Sequence, residues 1–243
     1  MKLTCIGRYG PYPRAGGSTS SYLLSHNGKN IVIDMGCGSL TRLLTLMRPA
    51  DIDALVLSHL HADHMGDVLT LRYALDASKK MGQRTAPLPV YLPAQPETES
   101  GLIRSHGMIS AQTLEDGMTT HICGMDVRFS LMPHPVPSFA MRFEADGKAF
   151  VFSGDTRETD KLAPFANGAD LLLMEAAFLS RDKVPGAPHV DAVEAGAIAM
   201  DAQVKRMLVT HIFPEYNEND IIAEVKKSFP SAELIEELQT YEV

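Results

Sequence analysis

The run Ser58-His59-Leu60-His61-Ala62-Asp63-His64 places four groups able to bind a metal ion within six residues. Imidazole nitrogen and carboxylate oxygen are the donors a borderline divalent cation such as zinc takes, at about 2.0–2.2 Å. Ile52-Asp53-Ala54-Leu55-Val56-Leu57 precedes the run, and as a short apolar stretch with β-branched residues it reads as a buried strand. Where such a strand ends, the chain can turn and aim His59, His61, Asp63 and His64 at one point. Four donors are more than one tetrahedral ion can use if it also takes a distant histidine and keeps a position open, which points to two ions. Tag-like histidine runs lie at chain ends, and this one is internal.

Three further stretches carry candidate ligands: Pro133-His134-Pro135, Ser153-Gly154-Asp155-Thr156 and Val209-Thr210-His211. Taken singly they are ordinary. His134 sits among prolines and reads as a loop histidine, Asp155 as a turn or N-cap aspartate, and His211 as a strand-end residue.

Taken in order, the H-x-H-x-D-H run at 59–64, His134, Asp155 and His211 resemble the signature of the metallo-β-lactamase superfamily of metal-dependent hydrolases. The resemblance covers essentially the whole chain, read as one domain over 1–243. It is nearest to the branch that holds ribonuclease Z, the tRNA 3′-processing endonuclease, and to that branch's short bacterial members. It implies an α/β fold of the four-layer αββα kind, two mixed sheets face to face with the metal site along one edge. It also implies a ligand set. His59, His61 and His134 would hold one ion, Asp63, His64 and His211 the other, and Asp155 would bridge them. Two divalent ions are therefore expected, zinc first, with manganese or iron as alternatives. A shared carboxylate holds such ions about 3.5–4 Å apart, and coordination lowers the pKa of water to about 7, so that a bridging hydroxide becomes the nucleophile.

The same branch places a histidine close to the departing oxygen, with an acidic partner after an apolar strand. The matching positions are His189 in Pro188-His189-Val190-Asp191 and Glu175 after Leu171-Leu172-Leu173-Met174. The match is incomplete: the branch carries His-Glu-Ala-Thr and His-x-Ser-Thr, where this chain has Met174-Glu175-Ala176-Ala177 and His189-Val190-Asp191-Ala192. Asp63, His189 and Glu175 are the expected catalytic residues, Asp63 serving also as a ligand, with protonated His189 donating to the leaving alkoxide. Asp34, after the apolar residues 31–33, is either a turn aspartate or the group that holds the first histidine loop from behind.

The elements that must position these residues alternate along the chain. Strand-like stretches fall at 2–7, 20–25, 30–34, 54–58, 89–92, 125–132, 138–144, 149–153, 170–174 and 206–211, and helical patterns at 39–48, 66–80, 98–107, 191–202 and 218–228. Asp191 with Glu194 forms a capping box at the start of the fourth helix, and turn signals at Gly28 and Asp146-Gly147 predict hairpins. The coil at 8–19, rich in glycine and proline, is either a plain surface loop or a wall of the site offering Arg14 or backbone N–H groups to an anion. His26, His106 and His121 match no motif and read as surface or loop residues, while Lys79-Lys80 and Lys226-Lys227 read as solvated helix faces.

With 243 residues, 45% of them hydrophobic and 21% charged, the chain has the composition of a globular α/β protein. A net charge of −8 argues against a broad nucleic-acid-wrapping surface. No apolar stretch is long enough to span a membrane, no signal peptide stands at the start, and Cys5, Cys37 and Cys123 are too far apart for a C-x-x-C motif. These features make a cytoplasmic protein with reduced thiols the expectation, and the resembled branch makes a homodimer possible.

The expected reaction is hydrolysis of a small phosphodiester, such as a cyclic nucleotide or short nucleotide ester. Structured RNA is disfavoured because the arm that grips tRNA is inserted between the third histidine and the bridging aspartate, and only 21 positions separate His134 from Asp155. A lactone or thioester is the alternative substrate, since the same ions polarise a carbonyl as readily as a phosphoryl group. A non-enzymatic metal-binding protein is the third reading, and such a protein would normally have lost ligands that this chain keeps. Export-dependent β-lactam hydrolysis is disfavoured, as is the oxygen-reducing diiron group, which carries Glu where His61 stands.

Overall fold

The computed structural model describes residues 1–243. The first half runs β1 (Lys2–Gly7), β2 (Ser21–His26), β3 (Lys29–Ile33), α1 (Ser39–Leu43), β4 (Ala54–Val56), α2 (Ala62–Met65), α3 (Val68–Lys80), β5 (Leu88–Leu92), α4 (Glu97–Arg104) and β6 (Ile109–Thr113). The second half runs β7 (Thr119–Ile122), β8 (Met125–Met132), β9 (Ser138–Ala145), β10 (Lys148–Phe152), α5 (Leu162–Ala166), β11 (Leu171–Glu175), α6 (Ala192–Asp201), β12 (Met207–Thr210), α7 (Glu218–Val225), β13 (Glu233–Leu234) and β14 (Thr240–Glu242).

These strands form two seven-stranded sheets, ordered β14-β1-β2-β3-β4-β5-β6 and β13-β12-β11-β10-β9-β8-β7. Each repeats one plan. An antiparallel meander (β1 to β3, β7 to β10) leads into strands that run parallel (β3 to β6, β10 to β13). Parallel neighbours need crossovers, which the helices supply, so helices come to cover the outer face of each sheet. The hairpin turns at Asn27-Gly28 and Asp146-Gly147 have positive φ at both positions, the backbone that two-residue turns between twisted strands require.

Alternation along the strands sorts the apolar residues into three cores. Ala54, Val56, Leu171 and Leu173 join Tyr22, Phe129, Phe143 and Phe150 between the sheets. Leu55 and Leu57 face α3 and α4 with Leu71, Leu75 and Ile103. Leu172 and Met174 face α5 to α7 with Leu162, Ile198 and Ile221. Three cores between four layers are the αββα sandwich that the resemblance implied. The same alternation carries Glu175 to the inter-sheet side at the end of β11, where it is fully buried.

The predicted elements recur with several corrections. The helix expected over 39–48 stops at Leu43, and the chain continues as turns toward Arg48-Pro49, a pair that disfavours helix at its first residue. Strands β6, β7, β13 and β14 and the short helices α2 and α5 were not predicted. No helix is long and apolar enough to cross a membrane.

Candidate metal centre

The site lies where strand ends and loops of both sheets meet. β4 pairs in parallel with β3, which sets Asp34 beside Ser58. Asp34 Oδ1 accepts from the Ser58 N–H at 2.7 Å, and Oδ2 accepts from the Ser58 hydroxyl at 2.7 Å. His64 Nδ1 donates to the same Oδ2 at 2.7 Å, and His59 Nδ1 lies 3.0 Å from Ser58 Oγ. This network assigns both tautomers: each Nδ1 carries the proton, so each Nε2 presents a lone pair inward. Asp34 is therefore the group behind the histidine loop, not a turn residue. Its backbone has φ +55° and that of His211 φ +54°, two non-glycine residues in the left-handed region at one site.

The donor atoms converge as two sets that share Asp155. His61 Nδ1 lies 3.1 Å from His59 Nε2 and 3.2 Å from His134 Nε2. Asp63 Oδ2 lies 3.7 Å from His64 Nε2 and 3.3 Å from His211 Nε2. Asp155 Oδ2 stands 3.3 Å from His64 Nε2, 3.3 Å from His211 Nε2 and 3.5 Å from His59 Nε2. His134 keeps its orientation through Nδ1, which donates to the Pro188 carbonyl at 3.2 Å.

Hydrogen bonding alone does not account for this arrangement. Three imidazole nitrogens facing one another bring lone pairs together, and no proton placement satisfies all of them. His64 Nε2, Asp155 Oδ1 and His211 Nδ1 are buried without any hydrogen bond. Donor separations of 3.1–3.7 Å bracket the about 3.3 Å that two metal–ligand bonds subtend at a tetrahedral angle. Charge points the same way. Asp34, Asp63, Asp155 and Glu175 are all buried, and only histidines pair with them. Such a concentration of negative charge calls for a cation that no Lys or Arg supplies. The residues fit a metal.

Burial pushes the imidazoles of His59, His61 and His134 below their usual range, His134 to about 4, which keeps them in the neutral, ligating form. Burial acts on His64 in the same sense, yet Asp155, Asp63 and Asp34 around it hold it well above its usual value, so its Nε2 keeps a proton that a bound cation would displace. Burial would raise Asp155, but His211, His64 and His59 hold it well below the carboxylate range.

His189 and Glu175 stand beside this cluster. Glu175 Oε1 and Oε2 lie 3.2 and 3.1 Å from His189 Nδ1, and Oε1 also accepts from the Thr156 N–H at 2.6 Å. Against the effect of burial, the Glu175 carboxylate, with Asp155 Oδ2 at 3.8 Å, holds the His189 imidazolium up to about 9. With Nδ1 taken, Nε2 is the nitrogen left to meet a ligand.

The coil at 8–19 is a wall of the site. The Gly10 N–H donates to Ile212 O at 3.2 Å and the Ile212 N–H to Arg8 O at 3.0 Å, so the coil lies along the segment that follows His211. A Cβ on Gly10 would fall 2.1 Å from His211 Nε2, so only glycine fits there. Arg14 is not free for an anion. Its guanidinium donates to Pro214 O and Tyr216 O and pairs with Glu218. Of the unassigned histidines, His121 is exposed and His106 pairs with Asp76, whereas His26 is buried at the end of β2, against expectation. None of the three joins a metal-ligating cluster.

Ser58, Gly10 and Pro188 are the site residues that the sequence did not disclose. Ser58 had one local signal, its place between an apolar strand and the histidine run.

Residues 29–212 match the model of the Beta-lactamase superfamily domain. The chain is 30% identical over 236 residues to the probable metallo-hydrolase YhfI of Bacillus subtilis, with 96% of each chain covered. The crystal structure of the metallo-beta-lactamase fold protein YhfI superposes with a TM-score of 0.94 at 27% identity, covering 100% of this chain and 99% of the other. Ribonuclease Z of Brevibacillus brevis is 26% identical over 284 residues, covering 89% of this chain and 88% of its own.

Proposed function

The chain belongs to the β-lactamase superfamily and is a metal-dependent hydrolase with ribonuclease Z among its relatives, and from that premise we propose that it hydrolyses a small phosphodiester with two divalent ions. His59, His61 and His134 would hold one ion, Asp63, His64 and His211 the other, and Asp155 would serve both. With Glu175 facing the His189 imidazolium, two divalent ions would offset the charge of the other buried carboxylates, Asp34, Asp63 and Asp155. Nitrogen donors in this number, with carboxylate oxygens, suit zinc, with manganese or iron as alternatives set by supply. Bound there, the ions supply Lewis acidity toward a phosphoryl oxygen and acidify water near neutral pH.

The protein's own groups do the rest. Ser58 and Asp34 fix the ring orientations, and His189 holds a proton that Glu175 keeps in place. The observation that carries the phosphodiester reading is this pair, 3.1 Å apart and 3.8 Å from Asp155. An alkoxide leaving from phosphorus needs a proton donor distinct from the nucleophile's site, and His189 is positioned to be one. Small size of the substrate is supported by the β9–β10 hairpin, which occupies the stretch between His134 and Asp155 and turns in two residues.

Metal analysis after gentle purification is expected to return close to two equivalents per chain. Bis-p-nitrophenyl phosphate and thymidine phosphodiesters should turn over faster than lactones and thioesters. One equivalent or fewer would contradict the two-ion assignment, and faster ester cleavage would favour the carboxylic-ester alternative.

Gly10→Ala tests the His211 assignment without replacing a ligand. The new methyl group would have to displace a ring whose Nε2, Cε1 and Cδ2 all lie within 2.5 Å of it. The variant is expected to hold fewer metal equivalents than the parent after dialysis and to lose most turnover. Unchanged metal content and rate would show that His211 does not depend on its present position.

A further inference from the structure

We propose that Tyr12 and Phe213 form a stacking wall beside the metal centre that takes the planar base of a nucleoside phosphate ester. This rests on the phosphodiester reading above and names the class of its substrate. Tyr12 follows Gly10 by two residues, and Phe213 follows His211 by two. A Cβ on Gly10 would touch His211 Nε2, and consecutive Cα atoms are about 3.8 Å apart, so the Tyr12 backbone is within about 8 Å of the Gly10 Cα that caps the ring. The backbones of the two aromatic residues therefore lie within a short reach of the ligand cluster, of the order over which a ribose joins a phosphate to its base.

Core packing gives no reason for an aromatic residue at position 12. Tyr12 leaves 43% of its surface open, and neither it nor Phe213 contributes to any of the three cores. Its place is nonetheless fixed. The Tyr12 ring meets Phe213 edge to face at 5.8 Å and 84°, and Phe213 meets Tyr216 at 5.2 Å and 70°. The Tyr12 hydroxyl donates to Glu215 Oε1 at 3.0 Å, while Arg14 clamps the coil to the Pro214 and Tyr216 carbonyls. A rigid, partly open aromatic surface binds a flat ring at little cost in conformational entropy. Because Arg14 is occupied by carbonyls and by Glu218, the wall offers no free cation of its own there. It reads the base by its π face, and the phosphate is left to the metal centre.

Calorimetric titration of the metal-loaded protein with adenosine 5′-monophosphate and with ribose 5-phosphate separates the base from the sugar phosphate. The parent is expected to bind the nucleotide more tightly by about 5- to 150-fold, the range that stacking one base supplies. Tyr12→Ala and Tyr12→Leu should bring that ratio close to one, and Tyr12→Phe, which keeps the ring, should retain it. Equal affinities in the parent, or a ratio that survives both Tyr12→Ala and Tyr12→Leu, would overturn the wall. Phosphodiester turnover on the same preparations is scored apart. A ring-dependent nucleotide preference without diester cleavage keeps the wall and refutes the phosphodiesterase, and diester cleavage without that preference does the reverse.

Discussion

Replacing Asp155 by alanine is expected to strip at least one ion from the protein and to lower kcat/KM by at least about 10³-fold, some 4 kcal/mol of barrier at 1.36 kcal/mol per decade. The expectation follows from where its carboxylate stands. Asp155 Oδ2 is 3.5 Å from His59 Nε2 in one ligand set and 3.3 Å from both His64 Nε2 and His211 Nε2 in the other. No other carboxylate is placed to serve both sets, since Asp63 Oδ2 pairs with His64 and His211 alone. Two readouts check the result. Metal analysis gives the ion count, and the rise in Tm on adding zinc to the stripped protein should shrink, because the stabilisation a ligand gives falls as its affinity for the folded state falls. Asp155→Asn keeps the shape and one oxygen but not the charge, and it should fall between parent and alanine. A variant that keeps both ions and more than a tenth of its turnover would remove Asp155 from the centre of the site.

The parts of this site that could be read from the sequence are those whose geometry is local or whose order along the chain is fixed. His59, His61, Asp63 and His64 lie within one strand end and one turn of helix, so their convergence needs only a bend in the chain. His134, Asp155, Glu175 and His211 each stand at or just beyond a strand end, where the apolar runs themselves locate them. Groups that depend on pairing between distant strands stayed hidden. Asp34 could be a turn residue until the parallel register of β3 on β4 put it against Ser58 and His64. Gly10 carries no signal in its own neighbourhood, because the ring it touches, His211, lies 201 positions away in sequence. Arg14 looked like a free cation, and tertiary carbonyls claim it. The missed strands have a separate cause. Glu233–Leu234 and Thr240–Glu242 are too short to show a period, and Ile109-Ser110-Ala111-Gln112-Thr113 is an edge strand with mostly polar, open positions. In each case pairing with a neighbour, not local composition, makes the strand.

His189→Ala is expected to keep the full complement of metal while slowing substrates with alkoxide leaving groups by 10²- to 10⁴-fold, the usual worth of a placed proton donor. Activated p-nitrophenyl esters should change only a few-fold, since nitrophenolate departs without a proton. The geometry also permits a competing role, because His189 lies in a cluster with Asp155 and His211 that could itself take an ion. Two observations favour the donor. Nδ1 is engaged by both oxygens of Glu175, at 3.2 and 3.1 Å, and the ring stacks on His211 at 5.1 Å. Glu175 then has a definite task. Two divalent ions would repel a proton on the neighbouring imidazole, and a buried carboxylate at Nδ1 opposes that repulsion. Glu175→Gln retains an acceptor but not the charge, so it should reproduce the leaving-group dependence of His189→Ala with metal content unchanged. The measurement is a plot of log kcat/KM against leaving-group pKa for each protein, which should steepen in both variants. Parallel lines would refute proton donation, and a loss of metal in His189→Ala would make this residue a ligand instead.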